Sequence, residues 1–537
     1  MRTFLHWTLN FACEGLLKQI EYSLIQFDHE KQVVQLLLNS MSLLESPEVK
    51  GLESRRKAIK QLLSPNQTLV SVPYFPRLGC PNFTFPSYKA NKHPVELHQS
   101  VFIGDAALCS QTPYYITSYK NFAKRRQERM VINVPLYKDK NTVMPYGEDL
   151  SEYEDNEEMM KALKPGHIYM DTKLFGVCCC VIQVTFQAAG VKEAAYLFDN
   201  FVPLTPIMAA LTAGSPIYRG LLSEFDSAWR PLSWSCDDRT RQERGLEPLT
   251  EGKVLVDKTG FDSIGRYISV DNQFYNDYDY CYDHRQYELL KAEGIDEIMA
   301  KYVAHLLLKD PLNLRKEKID QDIFKDSGHI QAIFNSNGHS LKLKLPDEKS
   351  GWKVEFRTME DQLTDFENAA LIVFLILLNR AIVTLKLNLL IPITKVNIDF
   401  YVFSIYCTKS RIVLFSCQLE FANCELTDDI YTLMTIDEIM NGKDDFPGLI
   451  PLIHKYLDHV DYDASKRPQI MQYLKYFSDK AAGKIMTMAQ WTRQFVRNHE
   501  EYKNDSVVSD RITYDFIMEC ERIVNNEERI PQAFINY

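Results

Sequence analysis

The sequence predicts an α+β fold, and three observations carry that expectation. Short strand-like runs dominate the first half of the chain, at 20–27, 32–38, 131–135 and 177–186. Helical patterns fill the intervals and dominate after residue 425. The run 351–378 places a strand, a turn and an apolar helix one after another. Strands mixed with helices in this way point to the α+β class.

Composition sets the outer bounds. The chain has 537 residues, 45% hydrophobic and 25% charged, which is ordinary for a soluble globular protein with a large core. Length alone allows roughly three or four domains of ordinary size. A net charge of −11 argues against a nucleic-acid partner. The basic cluster Lys124, Arg125, Arg126 and Arg129 directly precedes a strand-like run and reads as a solvated turn. Twelve cysteines are scattered, three of them consecutive at Cys178, Cys179 and Cys180. Without CxxC pairs or zinc-type histidine spacing, they read as small buried residues in a reducing cytoplasm. Residues 1–12 carry one positive charge and an apolar stretch, but His6, Trp7 and Asn10 dilute any signal-peptide character. The apolar run 371–393 is interrupted by Asn379, Arg380, Lys386 and Asn388, so a buried helix is expected there and no membrane span.

Taken in order, the segments have different characters. In 178–187, Cys179, Val181, Gln183, Thr185 and Gln187 fall on one face of a strand; Cys180, Ile182, Val184 and Phe186 fall on the other. The segment 147–160 reads as a solvated acidic loop, and the Tyr/Asp-rich 274–283 as irregular surface structure. In 351–357, Val354 and Phe356 face a core while Glu355 and Arg357 share the opposite face. A carboxylate beside a guanidinium can hold a metal ion and a phosphate together. A surface ion pair before a core helix accounts for an isolated Glu-x-Arg as well. Thr364-Asp-Phe-Glu367 is a capping box that opens the apolar helix. The β-branched, aromatic and nearly uncharged 397–421 resembles a hairpin.

The run around Glu355 is similar to the Val-Glu-Phe-Arg-Pro-Met-Glu-x-Gln-Leu-Thr-Asp-Phe-Glu-Asn segment of eukaryotic glutamate–cysteine ligase catalytic subunits, with Thr358 in place of the proline. Segments at 75–81, 131–142, 183–187, 237–248 and 446–451 resemble the same family in the same order. The resemblance implies a glutamine-synthetase-like core, an antiparallel sheet curved into a funnel and braced by helices. It implies a catalytic core over 17–425, a helical C-terminal region over 426–537 and a divergent N-terminus over 1–16. The implied reaction joins the γ-carboxyl of L-glutamate to the amine of L-cysteine with ATP and Mg2+, through a γ-glutamyl phosphate. A modifier subunit is the implied protein partner.

Residue by residue, the resemblance makes Glu21 and Glu355 metal ligands, Arg357 the ATP-phosphate contact, and Gln183 and Arg219 substrate contacts. No further catalytic residue is implied. Asp237 to Arg241 is expected to form a buried ion-pair network near the substrate site, structural in role. The chain also departs from the family. Gln19 stands where a glutamate is usual, and 44–54 lacks the Pro-Glu-Tyr-Gly and Met-Ile-Glu-Gly-Thr-Pro-Gly motifs. Val181 stands for a cysteine, Leu174 and Cys178 replace glycine-rich sequence, and 397–421 replaces a basic helix. These departures raise one alternative, a family member that binds a partner or substrate without turnover.

Overall fold

The computed structural model describes residues 3–6, 56–57, 59–61, 67–84, 100–105, 113–148, 156–313, 328–347, 350–405, 412–416, 431–460, 462, 467–526 and 530–535. The runs at 20–27 and 32–38, with Gln19, Glu21 and the segment 44–54, lie outside them. Helices and small sheets are mixed along the described chain, so the α+β class holds. Strands β1 (Thr3–His6) and β2 (Gln67–Val70) pair in parallel. Strands β3 (Ile132–Pro135) and β4 (His167–Met170) pair antiparallel, and β5 (Val181–Gln187) belongs to the central sheet. A tight hairpin joins β6 (Ile217–Tyr218) to β7 (Leu221–Leu222). Strands β8 (Leu341–Lys344) and β9 (Lys353–Glu360) complete the central sheet, whose order is β5-β9-β8 and wholly antiparallel. Beyond it, β10 (Ile412–Ser416) pairs with β11 (Tyr431–Thr435).

The central sheet has one apolar face, as period-two alternation requires. Ile182, Val184 and Phe186 of β5, Leu341 and Leu343 of β8, and Val354, Phe356 and Met359 of β9 enter the main core. Helices α1 (Val191–Phe201) and α2 (Leu204–Thr212) pack on that face. Behind them lies α3 (Asp365–Leu385), opened by the expected capping box, in which Thr364 and Glu367 satisfy each other's backbone donors. It is long and apolar enough to cross a membrane, but 72% of its apolar window is buried inside the protein. Helices α4 (Leu449–His459) and α5 (Arg467–Ala481) cover it, with Phe374 stacked on Phe477 at 4.3 Å between ring centroids. Val181 and Cys179 face a second, smaller core with Tyr74, Ile132, Met170, Phe175 and Tyr218. One strand, β5, thus walls off two cores.

Several sequence expectations need correction. The expected strand at 177–186 begins only at Val181, because 174–177 forms one helical turn. Gly176 lets that turn press against the helix Trp229–Ser235. Residues 397–405 are helical, in Ile393–Ile405, because packing on α2 overrides their strand propensity. The strand that does form, β10, pairs with β11 outside the expected hairpin. The acidic segment 147–160 gives up its end to the helix Asn156–Ala162, where Met159 is buried against Val101 and Tyr169. Tyr275 and Tyr280 are core residues, so 274–283 is irregular but only partly surface. The basic cluster is no solvated turn: Arg125 and Arg126 end the helix Pro113–Arg126 and meet buried carboxylates.

A Cβ on Gly176 would lie 2.6 Å from Ser235 Cβ and 2.8 Å from the Leu232 backbone. Gly176→Ala is therefore expected to lower stability by about 1–3 kcal/mol through overpacking. Gly190→Ala, where nothing lies within 4 Å, should cost less than about 1 kcal/mol. Urea unfolding of both variants checks the difference.

Candidate functional site

The polar face of the central sheet gathers six side chains from three strands. Register places Thr185 of β5 and Lys342 of β8 on either side of Glu355 in β9. Arg357 Nη1 donates to Glu355 Oε1 at 2.5 Å and to Gln183 Oε1 at 3.1 Å. Thr185 Oγ1 donates to Glu355 Oε2 at 3.2 Å, and the Lys344 ammonium meets the same oxygen. Between Ile182 and Val184 the pairing slips: Arg357 and Thr358 together oppose Gln183. At this β-bulge Arg357 keeps the polar face that alternation gives it, the Thr358 hydroxyl donates to the Thr205 carbonyl at 2.9 Å, and the extra residue brings Met359 to the core face. A bulge is among the few places where an inner strand tolerates proline, which suits the residue that Thr358 replaces.

Glu355 is only 5% exposed. Burial would raise its pKa, but Arg357, Lys344 and Lys342 outweigh burial and hold the carboxyl down to about 2. Burial, with help from Arg357, lowers Lys342 to about 7. Three basic side chains face one carboxylate here, an excess of positive charge that suits a polyanion. No motif in the sequence singles out Lys342 and Lys344. Their signal is the alternation Leu341-Lys-Leu-Lys344, four residues long.

Arg219 belongs to a second cluster. It and Gly220 form the two-residue turn between β6 and β7, with φ of 49° and 71°. Positive φ at both positions is the hairpin geometry that matches strand twist, and it is uncommon for arginine. Its Nη1 donates to Glu148 Oε2 at 2.8 Å and to the Tyr169 carbonyl at 2.8 Å. Its Nη2 donates to Glu148 Oε1 at 2.5 Å, and the guanidinium lies 3.3 Å over the Phe102 ring. Glu148, expected on a solvated loop, is instead the bidentate partner of a buried arginine.

A third carboxylate ties these clusters together. Glu360, 1% exposed at the end of β9, accepts from Gly214 N at 3.0 Å, Ser215 Oγ at 2.7 Å and Ala228 N at 2.7 Å. Those donors flank the β6–β7 hairpin, so the strand bearing Glu355 and Arg357 also anchors the turn bearing Arg219. The expected ion-pair network at Asp237 to Arg241 is present. Asp238 meets Lys309 at 2.9 Å and Arg125 at 3.4 Å, and Asp237 holds Arg239 and Arg126. It encloses a cavity of about 30 Å³ lined by Lys258, His305 and His339 among others, and its ion pairs are made with groups other than Arg219. Among the described residues no group of three or more His, Cys, Asp and Glu side chains is arranged to hold a metal.

Comparison with known proteins gives the chain its family. A glutamate–cysteine ligase family model matches residues 47–523. The chain is 40% identical to the glutamate–cysteine ligase catalytic subunit of Rattus norvegicus, over 96% of this chain and 89% of that protein. It is 37% identical to the glutamate–cysteine ligase of Dictyostelium discoideum, over 88% and 78%. The chain belongs to the glutamate–cysteine ligase family. The S. pombe (Schizosaccharomyces pombe) member is 36% identical over 88% of this chain. These ligase-named relatives span nearly the whole sequence, and the reading of a member without turnover is not favoured.

One buried group in this family member is out of balance. Asp361 is fully buried beside Glu360, and among the described residues its carboxylate oxygens receive no hydrogen bond of full geometry. The adjoining Gln362 N–H and Asn368 amide bond to each other's residues. Burial lifts Asp361 to about 7, against the pull of Arg56. The folded state then binds a proton that the unfolded state lacks between about pH 4 and the folded value. Stability is thereby lost as pH rises through that window. Asp361→Asn should stabilise the protein at pH 8 by on the order of 2–4 kcal/mol and by less at pH 5. Urea unfolding at both pH values tests this, and an equal gain at both would refute the burial account.

Proposed function

We propose that this chain forms γ-glutamylcysteine from L-glutamate and L-cysteine at the expense of ATP. The observation that carries the reading is the positive cradle of Arg357, Lys342 and Lys344 around Glu355, in a chain of this family. A carboxylate is a poor acyl donor, so its γ-oxygen first attacks the terminal phosphorus of ATP. A new O–P bond forms, the bridging P–O bond breaks and ADP leaves. The cysteine amine then attacks the acyl carbon, inorganic phosphate departs and the amine loses its proton. Phosphoryl transfer asks the protein chiefly for positioning and charge neutralisation.

In this reading Arg357, Lys342 and Lys344 neutralise the polyphosphate oxygens. Glu355 supplies a hard carboxylate oxygen fit for Mg2+, together with Glu21, and the ion adds positive charge against the phosphates. Glu355 Oε2 takes both Thr185 and Lys344 while Oε1 takes Arg357 alone, so Oε1 keeps a lone pair that would be open to the ion. Gln183, hydrogen-bonded to Arg357, presents its amide where the γ-carboxyl meets the phosphate, and Arg219 takes the substrate's other carboxylate. The β5-β9-β8 sheet forms part of the wall of a glutamine-synthetase-like funnel. A modifier subunit is the proposed protein partner, and a reducing cytoplasm the proposed setting.

ADP release with Mg2+, ATP, L-glutamate and L-cysteine, each amino acid omitted in turn, tests the proposal. Turnover should require both amino acids. Glu355→Ala and Arg357→Ala should each lower kcat by on the order of 10²–10³. ATP hydrolysis indifferent to the amino acids, or full activity in Glu355→Ala, would sink it.

A further inference from the structure

The Arg219–Glu148 pair is an incomplete site. A guanidinium offers five N–H donors. Glu148 and the Tyr169 carbonyl take three of them, two from Nη1 and one from Nη2. Among the described residues nothing takes the Nε–H or the second Nη2–H, which share one edge, and Nε is buried. Buried donors are costly when unmet, and a carboxylate laid along that edge would meet both. Among the described residues Glu148 is likewise unfilled: a carboxylate has about four lone-pair sites, and Arg219 occupies one on each oxygen.

The charge balance limits what can bind. Arg219 and Glu148 already cancel, the buried Asp171 near Arg219 adds no positive charge, and Phe102 closes one face of the guanidinium. A bare carboxylate or phosphate would leave net negative charge among buried groups, where it is expensive. A zwitterion adds none. We propose that Arg219 and Glu148 together read the head group of an α-amino acid. The α-carboxylate lies on the Nε edge of Arg219 and the α-ammonium on the free lone pairs of Glu148. Glu148 then contacts the substrate and selects for its amine. This inference rests on the reading that Arg219 binds the carboxylate of L-glutamate.

The test is binding of L-glutamate and of glutarate, which lacks the amine, measured by calorimetry without ATP on wild type, Glu148→Gln and Arg219→Gln. Wild type should prefer L-glutamate by about 10–100-fold. Glu148→Gln should weaken L-glutamate by a similar factor and leave glutarate unchanged, so that the preference collapses. Tighter binding of both ligands in Glu148→Gln would overturn the proposal, since Glu148 would then be an occupant that substrate displaces. Equal weakening of both would overturn it too, by reducing Glu148 to a support for Arg219. If Arg219→Gln binds L-glutamate as wild type does, the underlying assignment of Arg219 fails instead. The wild-type comparison stands even if a variant does not fold, and equal wild-type affinities would refute the amine-reading role directly.

Discussion

The inner strand Lys353–Glu360 must meet hydrocarbon on one side and ionic partners on the other. Side chains alternate along a strand, so the two requirements cannot be traded against each other. Val354 and Phe356 demand a core, which the helices Val191–Phe201 and Leu204–Thr212 supply. Glu355 and Arg357 demand compensation, since either ion left alone in such a place would cost several kcal/mol. They receive it from each other, from Lys344 and from the amide and hydroxyl of β5. The compensation is uneven, with more positive than negative charge. The surplus marks this face as a place for an anion.

The same strand continues into the parts that hold the molecule together. Glu360 pins the loops before and after the Arg219 hairpin through three hydrogen bonds. Two residues on, Gln362 accepts from Lys480 Nζ at 2.8 Å, and Lys480 also donates to Tyr476, which bonds Glu367 of the capping box. These buried polar groups come from helix Arg467–Ala481, so the C-terminal region is tied to the turn that follows the site. A network of this kind is satisfied in one arrangement only and gives the fold specificity at some cost in stability.

What could be read from the sequence was local. The alternation through Val354 and Arg357, the Thr364–Glu367 box and the alternation from Ile182 to Gln187 all depend on neighbours within a few residues. What escaped depends on distant partners. Arg125 and Arg126 look solvated until Asp238, Glu243 and Asp237 come into reach, more than a hundred residues on. Glu148 looks like one acid among many until Arg219 folds over it. The bulge at Arg357 and Thr358 is set by pairing with β5, and no residue within β9 announces it. Residues 397–405 show the opposite failure, a clear local preference overruled by packing against Leu204–Thr212.

The two clusters differ in net charge, and the difference has a consequence for which ligand each accepts. Around Glu355 the surplus is positive, so phosphate is welcome there. Around Arg219 the pair is neutral, and phosphate would face the Glu148 carboxylate at close range. Like charge at short distance in a buried place is a strong reason for exclusion. A lone arginine would attract nucleotide phosphate and amino-acid carboxylate alike. With Glu148 held against it, the guanidinium keeps its affinity for a carboxylate that brings its own positive charge and loses its affinity for one that does not. The left-handed backbone at Arg219, fixed by the Phe102 face, the Tyr169 carbonyl and Glu148, keeps that edge in place before any ligand arrives. A site prepared in this way needs little rearrangement to tell an amino acid from a nucleotide.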